Sequence, residues 1–162
     1  MHTNTTSALM RKTGQRLYTI GEAADLIGVS VPTIRMYERE GLIIPIRKAS
    51  RHRLFADADL ERLRRVRKSI NTGKGGITGL RLLMADLPCW QMKGCPEEAR
   101  AECRAYRDRE TPCWMASEKS WECKSTECRL CTVYTGAMDC EELTQTLEAY
   151  AVIARPSGPP AG

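Results

Sequence analysis

The chain has 162 residues, which suits one or two small domains. It is 42% apolar and 28% charged, so it can bury a core, although the single Phe argues against a large aromatic one. No apolar run approaches the ~20 residues that span a bilayer, and the polar start of the chain lacks a signal-peptide pattern, so we expect a cytoplasmic protein.

Basic charge is concentrated in the first half of the chain. Residues 1–86 carry 16 Lys or Arg against 8 Asp or Glu, whereas residues 87–162 carry 9 against 12. A surplus of cations on one domain is what the neutralisation of nucleic-acid phosphates requires. A solvated basic face with no partner would give the same count.

Two short helices around a tight turn are predicted after residues 1–16, which we expect to form a disordered arm. Thr19 and Glu22 make a capping box that opens the first helix, and Gly28 suits the left-handed position that ends it. Ser30 then caps the second helix. This arrangement is typical of a helix-turn-helix, which places its second helix in the major groove of DNA.

The second helix has an inner and an outer side. Ile34 and Tyr37 are three residues apart and face inward, whereas Arg35 points outward. We expect Arg35 to contact a base edge or a nearby phosphate, because its planar fork can hold two acceptors, and the alternative is a surface pair with Glu38. The hydroxyl of Tyr37 could reach a phosphate, or the residue could be plain core.

A basic hairpin follows, with strands predicted at residues 42–46 and 54–55. Five of the seven residues from 47 to 53 are Arg, Lys or His. Because like charges on one turn repel each other unless an anion is near, we assign the turn to phosphate contacts. The residues so assigned are Arg47, Lys48, Arg51 and Arg53. Arg53 could instead pair with Asp57 or Asp59.

Two further helices are predicted before residue 88. Asp57 or Asp59 opens the third helix. Its core positions are Leu60, Leu63, Val66 and Ile70, and its predicted outer positions are Arg62, Arg64, Arg65, Arg67 and Lys68. A glycine-rich turn at residues 73–76 lacks phosphate-loop spacing, so we interpret it as a hinge before a fourth helix at residues 78–87.

Taken together, these segments resemble the MerR family of winged helix-turn-helix transcription factors. The shared motifs are Tyr18-Thr19-Ile20-Gly21-Glu22, Thr33-Ile34-Arg35, Tyr37-Glu38-Arg39 and Gly41-Leu42, followed by Arg53, Phe55 and Asp57. Many members carry Tyr where this chain has Met36 and Leu54. A Met at this position also resembles the heat-shock repressor branch of the family, so the resemblance leaves both activation and repression open.

The resemblance implies a mainly α fold with a two-stranded wing over residues 17–87 and no enzymatic activity. It also implies a homodimer that binds double-stranded promoter DNA, with RNA polymerase as a further partner. The expected DNA-binding residues are Tyr18, Ser30, Thr33, Arg35, Tyr37, Arg39, Arg47, Lys48, Arg51 and Arg53.

Residues 88–138 contain an internal repeat rich in cysteine. Pro-Cys-Trp opens both copies, at Cys89 and Cys113. Seven residues separate the second and third cysteines of each copy, and a Tyr follows the third cysteine by three positions. In a cytoplasmic chain, thiols grouped so densely favour metal or redox chemistry over structural disulfides.

We interpret the repeat as a metal-stabilised module that binds zinc or an iron–sulfur cluster. All 8 cysteines are candidate ligands: Cys89, Cys95, Cys103, Cys113, Cys123, Cys128, Cys131 and Cys140. Eight thiolates could fill two tetrahedral zinc sites. The spacing of Cys123, Cys128 and Cys131 also matches plant-type ferredoxin ligands, with Cys140 as a fourth. Free buried thiols or disulfides remain the alternative.

Aromatic residues and one more helix complete the second half. We expect Trp90, Trp114 and Trp121 to pack as a small core that shields the site from water. Asp139 and Glu142 form a capping box for a helix at residues 139–154, which could mediate dimerisation or cap the module within one subunit. Residues 155–162 are predicted to be a frayed tail.

Three classes of function fit these patterns. The leading hypothesis is a dimeric regulator whose metal–thiolate module senses a redox or metal signal and sets the orientation of its two DNA-binding domains. The alternative is a DNA-bound structural protein whose zinc-folded module recruits a partner without sensing. A redox enzyme that uses Cys128 and Cys131 as a dithiol is weaker, because no βαβ pattern surrounds that pair.

Overall fold

The computed structural model describes residues 14–73, 75–124 and 126–150, so the predicted arm and tail and the end of the last helix lie largely or wholly outside it. The described residues are mainly helical and include one small sheet, which confirms the predicted fold class. The chain divides into two compact units, Met1–Arg67 and Lys68–Gly162. Among the described residues, no helix is both long enough and apolar enough to cross a membrane.

The first unit contains the predicted pair of short helices, α1 (Ile20–Ile27) and α2 (Val31–Arg39). The N–H of Thr19 donates to the Glu22 carboxylate at 2.7 Å, and the N–H of Glu22 donates to the Thr19 hydroxyl at 3.3 Å. Gly28 ends α1 with φ at 74°, a conformation that only glycine adopts without steric cost. The Ser30 hydroxyl accepts from the N–H of Thr33 and caps α2.

The wing has three strands where the sequence predicts two. β1 (Leu17–Thr19), β2 (Ile46–Arg47) and β3 (Arg53–Ala56) form an antiparallel sheet in the order β1-β3-β2. Residues 42–45 lie outside the ladder, which corrects the predicted strand at residues 42–46. The reason is that the N–H of Leu42 donates to the carbonyl of Tyr37 at 2.9 Å, which holds this segment against the end of α2.

The third helix, α3 (Asp57–Thr72), has the predicted apolar positions on its inner side. Leu60, Leu63 and Val66 are buried. Arg62 was predicted to lie outside but is only 2% exposed. Its Nε donates to the carbonyl of Leu42 at 2.7 Å, and the half-buried Arg67 donates to the carbonyl of Ile27 at 2.6 Å. Arg67 thus satisfies a carbonyl at the end of α1, where no helical N–H is available, and Arg62 satisfies a carbonyl in the segment that follows α2.

The second unit holds the end of α3 and the remaining described helices. The longer ones are α4 (Gly76–Ala85) and α10 (Cys140–Tyr150), which pack against each other. Between them run α5 (Cys89–Met92), α6 (Glu97–Ala101), α7 (Arg104–Arg107), α8 (Trp121–Lys124) and α9 (Thr132–Thr135). Single 3₁₀ turns lie at Cys113–Met115 and Cys128–Leu130.

The division between the units falls earlier than the predicted boundary at residue 87. It lies within α3, after Arg67. The physical reason is that α4 packs on α10 and the N–H of Cys140 donates to the Ser69 hydroxyl at 3.1 Å. The fourth predicted helix therefore belongs to the cysteine-containing unit.

Candidate nucleic-acid interface and candidate metal centre

The outer side of α2 presents cations to solvent. Arg35 and Arg39 are exposed, whereas Ile34 and Tyr37 on the opposite side are buried. The hydroxyls of Ser30 and Thr33 lie 2.8 Å apart at the start of the helix. The helix thus presents Arg35 to solvent while its opposite side is packed in the core, which is the arrangement that a major-groove contact requires.

A carboxylate ties the wing to α2. Glu38, whose side chain is 16% exposed, accepts ion pairs from Arg47 and from Arg53. The sequence-based alternatives pair Glu38 with Arg35, and Arg53 with Asp57 or Asp59, whereas the structure pairs Glu38 with Arg47 and Arg53. Glu38 therefore positions two of the four wing residues that were assigned to phosphates, a role that its sequence position does not reveal.

The two aspartates at the start of α3 accept hydrogen bonds from residues of the sheet. Asp57 accepts from the hydroxyl of Tyr18 at 2.8 Å, and Asp59 accepts from the N–H of Ala56 at 2.8 Å. The hydrogen bond to Asp57, together with burial, raises the pKa of Tyr18. Burial also raises the pKa of Tyr37. Both tyrosines, which are predicted to contact DNA, are buried in the domain.

The tip of the wing carries exposed positive charge. Lys48 and Arg51 are exposed, as is His52. The N–H of Arg51 donates to the carbonyl of Lys48 at 2.8 Å, and φ of Arg51 is 62°, an uncommon left-handed conformation for a non-glycine residue. The turn therefore fixes the backbone conformation of Arg51, and its exposed side chain lies at the tip of the wing.

Seven of the eight cysteines line a single cavity of about 30 Å³ in the second unit. They are Cys89, Cys95, Cys103, Cys113, Cys123, Cys128 and Cys131. The eighth, Cys140, lies at the start of α10, where its N–H bonds to Ser69, so the structure does not bring it to the others. Within residues 14–73, 75–124 and 126–150, no three His, Cys, Asp or Glu side chains stand in an arrangement ready to hold a metal ion.

The two copies of the cysteine repeat have matching internal geometry. The rings of Trp90 and Tyr106 meet edge to face at 4.9 Å in the first copy, and those of Trp114 and Tyr134 do so at 5.2 Å in the second. The copies also pack reciprocally. α5 of the first lies against α9 of the second, and α7 of the first lies against the 3₁₀ turn that opens the second.

Two lysines that sequence reasoning missed contact thiols in this cavity. The Nζ of Lys93 lies 3.4 Å from Cys123, and the Nζ of Lys119 lies 2.9 Å from Cys128. Burial acts to lower the pKa of Lys93, but the neighbouring thiols outweigh it and raise that pKa overall. Burial raises the pKa of Cys95 and of Cys123, against the influence of Lys93.

The tryptophans divide into two groups. Trp90 and Trp114 are buried beside the cysteines, in line with their predicted shielding role. Trp121 is 55% exposed, so its predicted place in the core is wrong. The difference follows from the repeat, since Trp90 and Trp114 occupy equivalent positions with a Tyr partner and Trp121 does not.

Comparison with known proteins identifies the first of these two sites. The profile described as MerR HTH family regulatory protein matches residues 18–85. The matched residues form a winged helix-turn-helix with an exposed recognition helix, so the class is that of a DNA-binding regulator domain. The amino-terminal part of this chain is a MerR-family helix-turn-helix domain.

The similar curated proteins are named as transcriptional regulators. One is the HTH-type transcriptional regulator MlrA of Escherichia coli, 45% identical over 58 residues, which are 35% of this chain and 24% of MlrA. Another, from Haemophilus influenzae, is named "Probable heavy metal-dependent transcriptional regulator" and is 49% identical over 55 residues, 33% of this chain and 43% of that protein. The regulator HmrR of Sinorhizobium medicae is 46% identical over 55 residues, 33% of this chain and 37% of its own length.

These matches cover about a third of this chain and less than half of each relative. No solved structure matches the chain significantly. The regulators belong to a non-enzymatic class, in agreement with the prediction that this chain is not an enzyme.

Proposed function

We propose that this chain is a cytoplasmic, sequence-specific transcriptional regulator that binds promoter DNA as a dimer and acts on RNA polymerase. The observation that carries the proposal is the exposed Arg35 on α2 next to a wing whose tip exposes Lys48 and Arg51. One element can read bases while the other holds phosphates. The cysteine module would bind zinc or an iron–sulfur cluster and sense a redox or metal signal.

The seven converging thiols support the sensing part of the proposal. Both zinc ions and iron–sulfur clusters take thiolates as ligands. One relative is named as a probable heavy metal-dependent regulator, which also favours a metal-responsive module. α10 is a weaker candidate for the dimer contact, because Leu143 is fully buried within its own unit, where α10 packs on α4.

DNA binding is tested by selecting a preferred site from randomised duplexes with the full-length protein. Arg35→Ala should weaken binding to the selected site by about 1–3 kcal/mol and leave non-specific binding nearly unchanged. Arg51→Ala should weaken all sequences alike and flatten the salt dependence by about one unit of slope.

The matched control is Arg109→Ala, which removes an exposed arginine of the second unit. It should bind every duplex like the parent protein. If Arg35→Ala and Arg51→Ala also bind the selected site as tightly as the parent, the assigned reading surface is wrong.

A second candidate function is a DNA-bound structural protein whose folded module recruits a partner. The exposed Trp121 and Leu130, which are 55% and 76% exposed, favour a contact surface on the module. A sensor should change transcription from its promoter in a graded manner as metal or oxidant is titrated. A recruiter should lose its partner when metal is removed and give no graded response.

A further inference from the structure

We propose that Lys119 and Cys128 form an oxidation site, at which hydrogen peroxide joins the two side chains by a covalent bond between Nζ and Sγ, a sulfenamide. The inference rests on the redox signal of the proposed function and names the pair of side chains that would receive it. The bond forms between two side chains of the protein and requires no bound metal.

Cys128 lies outside the pattern that the two copies of the repeat share. Each copy has a first, second and third cysteine at corresponding positions: Cys89, Cys95 and Cys103 in one, and Cys113, Cys123 and Cys131 in the other. Cys128 is an additional thiol, five residues after the second cysteine of its copy. Arg100 occupies that position in the first copy and donates to the carbonyl of Cys95 at 3.0 Å. The fold that the copies share therefore does not explain Cys128.

Lys119 is also specific to the second copy. Nine residues separate the first and second cysteines of that copy, against five in the first copy. Lys119 lies in this longer segment. The second copy thus adds both a longer segment with a lysine and a further thiol, and the structure brings these two additions into contact.

The two side chains are closer than an ordinary lysine–thiol pair in the same cavity. The Nζ of Lys119 lies 2.9 Å from the Sγ of Cys128. The corresponding distance between Lys93 and Cys123 is 3.4 Å. A short approach of the amine to the sulfur favours a reaction between them over their separate reactions with solvent.

The local structure holds both groups in place. The amine of Lys119 also donates to the carbonyl of Trp114 at 3.4 Å. Cys128 begins a 3₁₀ turn, in which its carbonyl accepts from the N–H of Cys131 at 3.1 Å. Lys119 and Cys128 are both half-buried. A partly exposed thiol beside a cationic side chain is the setting in which cysteine oxidation is favoured.

The size of the cavity indicates which oxidant can enter. Lys119 and Cys128 both line the cavity of about 30 Å³, which offers roughly two water-sized positions. Hydrogen peroxide has two oxygen atoms and no other heavy atom, so it fits this space. A glutathione disulfide is far larger than the cavity. The site therefore suits a small peroxide rather than a bulky thiol reagent.

The reaction takes two steps. The sulfur of Cys128 attacks one oxygen of the peroxide, the O–O bond breaks, and a sulfenic acid forms while the other oxygen leaves as water with the thiol hydrogen. The ammonium of Lys119 releases one proton to solvent, and its nitrogen then attacks the sulfur. The S–O bond breaks, and the hydroxyl leaves as a second water with one amine hydrogen. The sulfur is oxidised by two electrons, which reduce the peroxide to water.

Peptide mapping of the full-length protein tests the proposal. The protein is treated with hydrogen peroxide, its remaining thiols are blocked with iodoacetamide, and the digest is sequenced by tandem mass spectrometry. Lys119 and Cys128 should be found linked, with the loss of two hydrogen atoms from the pair. Trypsin should not cleave after the linked Lys119. Treatment with dithiothreitol should restore both the cleavage and the free thiol, because a sulfenamide is reduced by thiols.

Variants separate the amine from the charge. Lys119→Arg keeps the positive charge but has no primary amine, so it should abolish the link and leave Cys128 as a sulfenic acid that dimedone captures. Lys93→Arg is the matched control and should form the link as fully as the parent protein. The mapping of the unsubstituted protein decides the question even if Lys119→Arg fails to fold.

Three results with the parent protein would overturn the sulfenamide: Cys128 in a disulfide with another cysteine, Cys128 as a sulfinic acid with Lys119 free, or Cys128 still a thiol after peroxide. None of them concerns DNA binding, which the Arg35→Ala comparison tests. A linked pair that leaves DNA binding unchanged would support the modification and reject redox sensing, so the failures are distinguishable.

Discussion

At the scale of single residues, Arg62 shows how burial changes the role of a charge. It lies on a helix that carries five basic residues between 62 and 68, four of which are half-buried or exposed. Arg62 is instead enclosed and donates to the carbonyl of Leu42. A charged donor to a buried carbonyl is worth more than a surface ion pair, because water cannot replace it.

Replacement of Arg62 by Met should therefore lower the free energy of unfolding of the first unit by about 1–3 kcal/mol, since the Leu42 carbonyl loses its donor. Native-state hydrogen exchange of peptides from residues 17–67 along a urea titration measures this loss. Arg64→Met on the same helix, where the side chain is 52% exposed, should change stability by less than ~0.5 kcal/mol. Equal effects of the two substitutions would contradict the assigned role.

At the scale of elements, the wing and the recognition helix are joined by Glu38. Its carboxylate accepts from Arg47 at one end of the wing turn and from Arg53 at the other. The two arginines are therefore partly neutralised before any duplex approaches. Lys48 and Arg51 at the tip are exposed and lie between them in the chain.

Glu38→Gln should raise affinity for non-specific duplex and steepen its salt dependence, because Arg47 and Arg53 become available to phosphates. It should also reduce the preference for the selected site, since the wing loses its anchor to α2. Fluorescence anisotropy over a range of salt concentrations measures both effects. Glu61→Gln removes the same charge from an ion pair with Arg65 on α3 and should leave both quantities unchanged.

At the scale of the whole molecule, the two compact units should respond differently to metal removal. All 3 tryptophans lie in the second unit, so their fluorescence reports on that unit alone. Its helices between residues 89 and 135 are each four or five residues long, so a bound metal would supply much of their folding free energy. The first unit has its own apolar core under α3.

Chelation of the full-length protein should shift the tryptophan emission to the red and raise hydrogen exchange across residues 88–138. Peptides from residues 17–67 should keep their protection. The same chelator saturated with zinc beforehand is the control and should change neither signal. Simultaneous loss of protection in both units would show that they do not fold independently of the metal.

The sequence alone determined the features that depend on near neighbours along the chain. The cap of Thr19 with Glu22, the left-handed Gly28 and the inward Ile34 all follow from contacts within one or two helical turns, and the structure has each of them. The internal repeat was likewise visible in spacing, and a Trp–Tyr pair lies edge to face in each copy.

Only the tertiary structure decided which distant residues meet. Arg62 finds a carbonyl 20 residues earlier, and β1 pairs with β3 across the whole helix-turn-helix. Seven cysteines converge while Cys140 goes to Ser69, 71 residues earlier. These pairings depend on how helices and strands pack, and packing is a property of the assembled chain that no local spacing encodes.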